Sequence, residues 1–279
     1  MSSTDAPVYV SNGQADRADR MRESLADFSK GLGLRELWLF LGWRDVRKHY
    51  QRSLLGPFWL TLSMGFMVLG LGVLYSQIFK QPLQDYLPFL AVGFIIWGLI
   101  SGLIVGSCDV YSGSAASVRQ VRMPLSIYIY QFVWRQIITF AHNFIIYIAV
   151  ALYFGLWPGA NGLMFLPALV LVVLNGFFVT MILAPLCARF RDIPMIVQSV
   201  VQIVFFMTPI LWDAKQVPER ALFLQANPFY HFIEIIRDPL LGRAASLENW
   251  VVCLVITLVM GLVAFTFFAR YRPRIAYWA

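Results

Sequence analysis

Five long apolar runs limit what this chain can become: Pro57–Phe79, Leu87–Cys108, Phe132–Trp157, Gly162–Ala188 and Trp250–Ala269. Each reaches the roughly 20 residues that a helix needs to cross the hydrocarbon core of a bilayer. In lipid every backbone N–H and C=O must be paired within the protein, which leaves helices as the structure for runs of this length. A sixth run, Met195–Trp212, is near the minimum and closes on "TPILW", where Pro209 is expected to bend or stop the helix. The expected fold class is therefore all-α integral membrane, with six transmembrane helices. Composition agrees: 59% of residues are hydrophobic and 13% charged, against about half and about a quarter in soluble domains.

The charges between the runs give an orientation. Arg44, Arg47, Lys48 and Arg52 precede the first run. Arg119 and Arg122 separate the second and third, Arg189 and Arg191 the fourth and fifth, and Arg270, Arg272 and Arg274 follow the last. The alternate connections hold Lys80 alone, then no basic residue in "PGANG", then four basic against five acidic residues between Asp213 and Asn249. Basic connections stay on the cytoplasmic side, so both termini are expected there. Topology thus explains the net charge of +7, and no nucleic-acid partner is expected. Cys108, Cys187 and Cys253 share no metal-ligand spacing and read as packing residues. No apolar stretch follows Met1, so a cleaved signal peptide is not expected.

The runs contain no Asp or Glu, which counts against an ion-coupled carrier. Arg135, close to the cytoplasmic end of the third run, is expected to snorkel. His142 and Asn143 lie near mid-span, as a functional pair or as interhelical hydrogen bonders. Gly98, Gly102 and Gly106 form two G-x-x-x-G steps that permit close helix approach, either within one subunit or at a dimer seam. A nucleotide-binding P-loop needs a glycine directly before its lysine. Lys30, Lys48, Lys80 and Lys215 instead follow Ser29, Arg47, Phe79 and Ala214. No cofactor site is expected in this chain, and energy for active transport would have to come from a cytoplasmic partner.

Three segments are amphipathic rather than apolar. Residues 34–56 carry Arg44, Arg47, Lys48 and Arg52 at i, i+3, i+4 and i+8, with Trp38, Trp43 and Tyr50 as anchors, an interface helix suited to membrane lipids. "SGSAASVRQVRMPLS" offers a small-residue run, then Arg119 and Arg122 one turn apart, then Pro124. "QANPFYHFIEIIRDPLLG", residues 225–242, is too charged to span and too apolar for an ordinary loop. There Asn227 and Pro228 read as N-cap and first helical residue. Phe229, Phe232, Ile233, Ile236 and Leu240 make one stripe, and His231, Glu234 and Asp238 a second. A re-entrant helical hairpin turning at Asn227–Pro228 is favoured over a helix lying in the interface. Residues 1–33 read as a mobile polar tail and 57–279 as the six-span domain. Among the aromatics, Phe66, Tyr75, Phe205, Phe206 and Trp212 face lipid or line a path for a sugar chain.

Four segments, "RDVRKHYQRSLLGPFW", "VRQVRMPLS", "ARFRDIPMIVQSVVQIVFFMTPILW" and "NPFYHFIEIIRDPLLG", occur in this order. Together, from about Leu34 onward, they resemble the permease subunit of ABC-type exporters of O-antigen, capsule or teichoic acid polymers; "LLGPFW" is most like the O-antigen branch. The resemblance implies a homodimer of six-span subunits with two ATPase subunits beneath, which would bind the ATP and Mg. It implies a lipid-linked polysaccharide substrate and a channel lined by spans one and five. It makes Ser114, Arg119, Arg122 and Pro124 part of a coupling helix on the ATPase. Phe229, His231, Phe232, Glu234, Arg237 and Asp238 would belong to a periplasmic gate, with His231, Glu234 and Asp238 facing the aqueous mouth. Two other readings are a membrane-embedded transferase using the "FYHFIE" cluster with Asp238, and an exporter of drugs or other lipids.

Overall fold

The computed structural model describes residues 17–50, 58–120, 123–214 and 222–279. Among them all regular structure is helical: α1 (Arg17–Gly33), α2 (Arg35–Tyr50), α3 (Phe58–Ile78), α4 (Leu83–Ser107), α5 (Ala115–Gln120), α6 (Ser126–Phe154), α7 (Phe165–Arg189), α8 (Ile193–Met207), α9 (Leu222–Gln225), α10 (Pro228–Leu240) and α11 (Leu247–Trp278). A 3₁₀ segment, Gly159–Met164, leads into α7. Five helices are long and apolar enough to cross a membrane: α3, α4, α6, α7 and α11. With 15 residues, α8 measures about 22 Å at 1.5 Å per residue, short of the roughly 30 Å core.

Helix α4 is the axis of the molecule, packed against α3, α6, α7, α8 and α10. Its glycines admit neighbours of the same chain. A Cβ on Gly102 would meet Gln136 of α6 at 3.1 Å, and one on Gly106 would meet Phe132 at 2.8 Å. Gln136 uses that closeness to donate from Nε2 to the Gly102 carbonyl at 2.9 Å. The glycine steps therefore serve packing within the subunit. His142 bonds through Nδ1 to the Ile138 carbonyl of its own helix at 2.8 Å, and Asn143 is buried beside it. Arg135 lies over the Phe132 ring, 5.3 Å from its centroid. The three cysteines are buried and free.

Residues 17–33 overturn the expectation of a mobile tail, whereas residues 1–16 lie outside the described residues. Helix α1 packs on α6 and α11, and Phe28 sits in an aromatic cluster with Tyr130, Phe177, Phe265 and Phe268. Asp27 is 5% exposed. Its Oδ1 accepts from the Ser126 amide at 2.9 Å and its Oδ2 from the Leu125 amide at 3.2 Å. Those N–H groups open α6 and have no partner within that helix; Asp27 thus caps α6 from a distant helix. Arg272 of α11 donates to the same carboxylate at 3.0 Å and to Glu23 at 3.1 Å. Local sequence rules search for a cap immediately before the helix, so they miss one supplied from α1. Asp27→Ala should lower stability by about 2–4 kcal/mol, through the lost cap and the hydrogen bonds of a buried charge. Unfolding of the purified chain in detergent measures this, and a midpoint equal to wild type would contradict the capping role.

Helix α2 runs along the first half of α6. Gly42 makes the approach possible, since a Cβ there would lie 2.8 Å from Trp134. Trp38 stacks on Tyr130, while Phe40, Trp43, Arg44, Arg47 and Lys48 are exposed. Arg52 lies outside the described residues, as does Arg122; Arg119 falls within α5, where only its backbone is described. At the other end of the chain, α11 continues past the apolar run to Trp278 and carries Arg270, Arg272 and Arg274 on helix.

Candidate functional site, the broken helix α8 and the buried helix α10

Helix α8 ends where Pro209 requires. The residue before a proline is pushed out of the α region, and Thr208 is extended at φ −96°, ψ 137°. The carbonyls beyond the break then lack helical partners, a condition tolerated at membrane depth only where the protein supplies donors. Two side chains supply them. Arg237 of α10 donates from Nη2 to the Pro209 carbonyl at 2.8 Å. Tyr86 of α4 donates to the Leu211 carbonyl at 2.6 Å. Thr208 turns its hydroxyl back to the Val204 carbonyl at 2.8 Å and accepts from Asn227 Nδ2 at 2.9 Å.

Asn227 and Pro228 start α10 as their types dictate. The Asn227 side chain accepts from the Phe229 amide at 3.0 Å, and Pro228 occupies the first turn. Phe232, Ile233, Ile236 and Leu240 are buried, as the apolar stripe requires, and Phe229 is half-buried. The polar stripe is packed too. His231 is 3% exposed; its Nε2 lies 2.9 Å from the Gln225 carbonyl and so donates, and its Nδ1 lies 2.7 Å from the Asn249 side-chain amide. Glu234 is half-buried and accepts from Arg237 Nη1 at 2.9 Å. Asp238 is half-buried. The expectation of an aqueous mouth is therefore corrected for His231 alone, because α10 is packed against α4, α7, α11 and the 3₁₀ segment, whereas Glu234 and Asp238 keep partial exposure. At its far end Tyr147 of α6 donates to the Leu240 carbonyl at 2.6 Å.

Arg237 is the hub. Its residue is 2% exposed, with the guanidinium 4.1 Å from the centroid of Phe89. Gly93 leaves room for it, since a Cβ there would lie 2.7 Å from Nη2. Burial holds the Glu234 carboxyl above the ordinary carboxylate range, an effect the adjacent guanidinium opposes only in part. One buried cation thus ties α10 to the broken end of α8 and to α4.

Beside this latch, α8 presents a recess of about 390 Å³ against α4, lined by Trp97, Gln198, Gln202, Phe205 and Phe206. Gln198 and Gln202 are exposed, one turn apart, and no residue of α8 is buried. Amides on a membrane helix are costly against lipid tails, so this face is built for polar company. Aromatic faces next to amide donors and acceptors can stack on and hydrogen-bond a sugar ring. Of the five sequence candidates, only Phe205 and Phe206 line the recess. Trp212 Nε1 donates to the Phe206 carbonyl at 3.4 Å. Tyr75 stacks on Phe79, and Phe66 is exposed on α3 beside α6. Trp97, Gln198, Gln202, Tyr86 and Gly93 were not singled out from the sequence; two glutamines at i, i+4 inside an apolar run were the available signal.

These features define a multi-pass helical membrane protein whose polar chemistry serves a helix break and a recess. Among the described residues no group of three or more His, Cys, Asp or Glu could hold a metal ion. The sequence profile of the ABC-2 type transporter family matches residues 36–241, and the chain belongs to that family. It is thus a transport subunit, with several passes through the bacterial inner membrane. It is 26% identical over 198 residues to the O-antigen export system permease protein RfbA of Myxococcus xanthus, covering 70% of this chain and 76% of that one. It is 20% identical over 235 residues to the protein of the same name from Klebsiella pneumoniae, covering 84% and 91%.

Proposed function

We propose that the chain is the membrane subunit of an ATP-driven exporter that moves lipid-linked O-antigen polysaccharide from the cytoplasmic to the periplasmic face of the inner membrane. The observation that carries this reading is the amide-and-aromatic recess on α8, set directly beside a helix break latched by α10. The names of the relatives point to the same cargo. In this reading two copies pair, α8 counts as the fifth of six spans, both termini are cytoplasmic, and a separate ABC ATPase dimer holds the ATP and Mg. Helix α2 lies along the cytoplasmic interface, and the segment from Ser114 through α5 to Pro124 couples to the ATPase. Helices α9 and α10 close the periplasmic end, held shut through Arg237, while the recess offers sugar rings a surface to stack on.

A membrane-embedded transferase has less support. His231 and Glu234, its best catalytic pair, take separate partners: Asn249 and the Gln225 carbonyl for one, Arg237 for the other.

Deleting the gene and staining surface lipopolysaccharide on a gel tests the cargo. Export predicts loss of the long-chain ladder with lipid-linked polymer building up inside the cell. Complementation with an Arg119→Glu, Arg122→Glu chain that still reaches the membrane should leave the ladder missing. An intact ladder in the deletion strain would move the cargo to another polymer, and loss without internal build-up would favour the transferase.

A further inference from the structure

A second polar cavity, of about 420 Å³, lies far from the latch, between α2, the turn after α4 and the first half of α6. Tyr128, Gln131 and Arg135 reach it from α6, Asp45 and Lys48 from α2, and Asp109 from the turn. Residues 128, 131 and 135 fall at i, i+3 and i+7, one face of the helix. The Tyr128 residue is 6% exposed and its hydroxyl has no hydrogen-bond partner. A buried hydroxyl left unpaired costs free energy, and such an orphan marks a missing ligand or an ordered water.

The cations of the cavity also lack an acidic partner, with the Arg135 guanidinium lying over the Phe132 ring. Among the described residues neither Lys48 nor Arg135 takes part in an ion pair. Of the two acids that line the cavity, Asp45 is already engaged: it accepts from Gln131 Nε2 at 2.6 Å and lies 3.8 Å from Arg44. Asp109 is exposed at the rim. The open donors are thus one guanidinium, one ammonium and one hydroxyl, a set that suits a phosphate oxygen cluster.

Depth identifies the source of such a group. Helix α6 has 29 residues, about 43 Å. The stretch from Arg135 to its end at Phe154 takes up about 30 Å of that, the thickness of the hydrocarbon core. With the far edge of the hydrocarbon core placed at Phe154, Arg135 and the cavity fall at the headgroup layer on the basic side. Helix α2 also leaves Phe40 and Trp43 exposed there, 63% and 48%, apolar surface suited to the acyl boundary.

We propose that this cavity binds the phosphate of an anionic membrane phospholipid, held by Arg135 and Lys48 and hydrogen-bonded by the Tyr128 hydroxyl. The site requires the membrane placement alone and is independent of the cargo. A lipid seated there would fix α2 against the turn that leads into α5.

Native mass spectrometry of the full-length chain, extracted in mild detergent and offered phosphatidylglycerol, tests the site. Wild type and the control Arg35→Gln, exposed at the start of α2, should retain the lipid. Arg135→Gln should weaken retention about tenfold or more, the loss of a charged hydrogen-bonding group. Tyr128→Phe, which removes only the hydroxyl, should weaken it roughly two- to tenfold. Equal retention in all four proteins would overturn the site. Lipid that survives excess inorganic phosphate supports the headgroup assignment, whereas its displacement by phosphate would support the chemistry and overturn the lipid source.

Discussion

Arg237→Met should lower the stability of the purified chain by about 3–5 kcal/mol, because it leaves Glu234 largely buried without its counter-charge. The Glu234 side chain is 15% exposed, and Arg237 is its ion-pair partner. The same change orphans the Pro209 carbonyl that Nη2 now serves, and a buried unpaired carbonyl carries its own penalty. Adding Glu234→Gln should recover much of the loss, since no net charge then remains buried. Arg237→Lys should fall between, because an ammonium cannot reach Glu234, the Pro209 carbonyl and the Phe89 face as a planar fork does. Thermal unfolding in detergent, run on all four proteins, measures the series. A single Arg237→Met variant as stable as wild type would show that the latch contributes nothing, and α10 would have to be held by its apolar contacts alone.

Locking α10 to α8 should abolish export. Thr208 and Asn227 touch across the two elements at 2.9 Å, so cysteines at both positions lie within reach of a short thiol crosslinker. The native cysteines are buried, which leaves wild type as a reagent control. If the latch must open for polymer to pass, bridged protein should export nothing, and a cleavable crosslinker should restore the rate when reduced. Full-rate export by quantitatively bridged protein would eliminate α10 as a moving gate, while leaving the recess on α8 as a polymer contact.

The two variants probe different links. Stability loss at Arg237 tests whether the buried cation holds α10 against α8 and α4, and the crosslink tests whether that contact must change during export. The Arg237 Nε has no hydrogen-bond partner, so the five-donor guanidinium is not fully satisfied in this arrangement.

The sequence alone determined what depends on neighbours in the chain. The positions of the five long helices followed from the apolar runs, because crossing hydrocarbon sets a minimum number of residues, although α11 extends past its run to Trp278. The end of α8 followed from Pro209 and the start of α10 from Asn227 and Pro228, because a missing N–H and a short acceptor side chain act within one turn. Even the burial of Phe232, Ile233, Ile236 and Leu240 was legible from their spacing. What only the tertiary structure decided was the fate of the polar side chains. His231 read as water-facing and is buried because Asn249 and the Gln225 carbonyl, 18 and 6 residues away, complete its hydrogen bonds. Asp27 read as part of a tail and is an anchor because its acceptors meet the amides of α6 about 99 residues on. Whether a polar group can leave water depends on partners that tertiary folding brings to it, and a periodicity read along one helix carries no record of them.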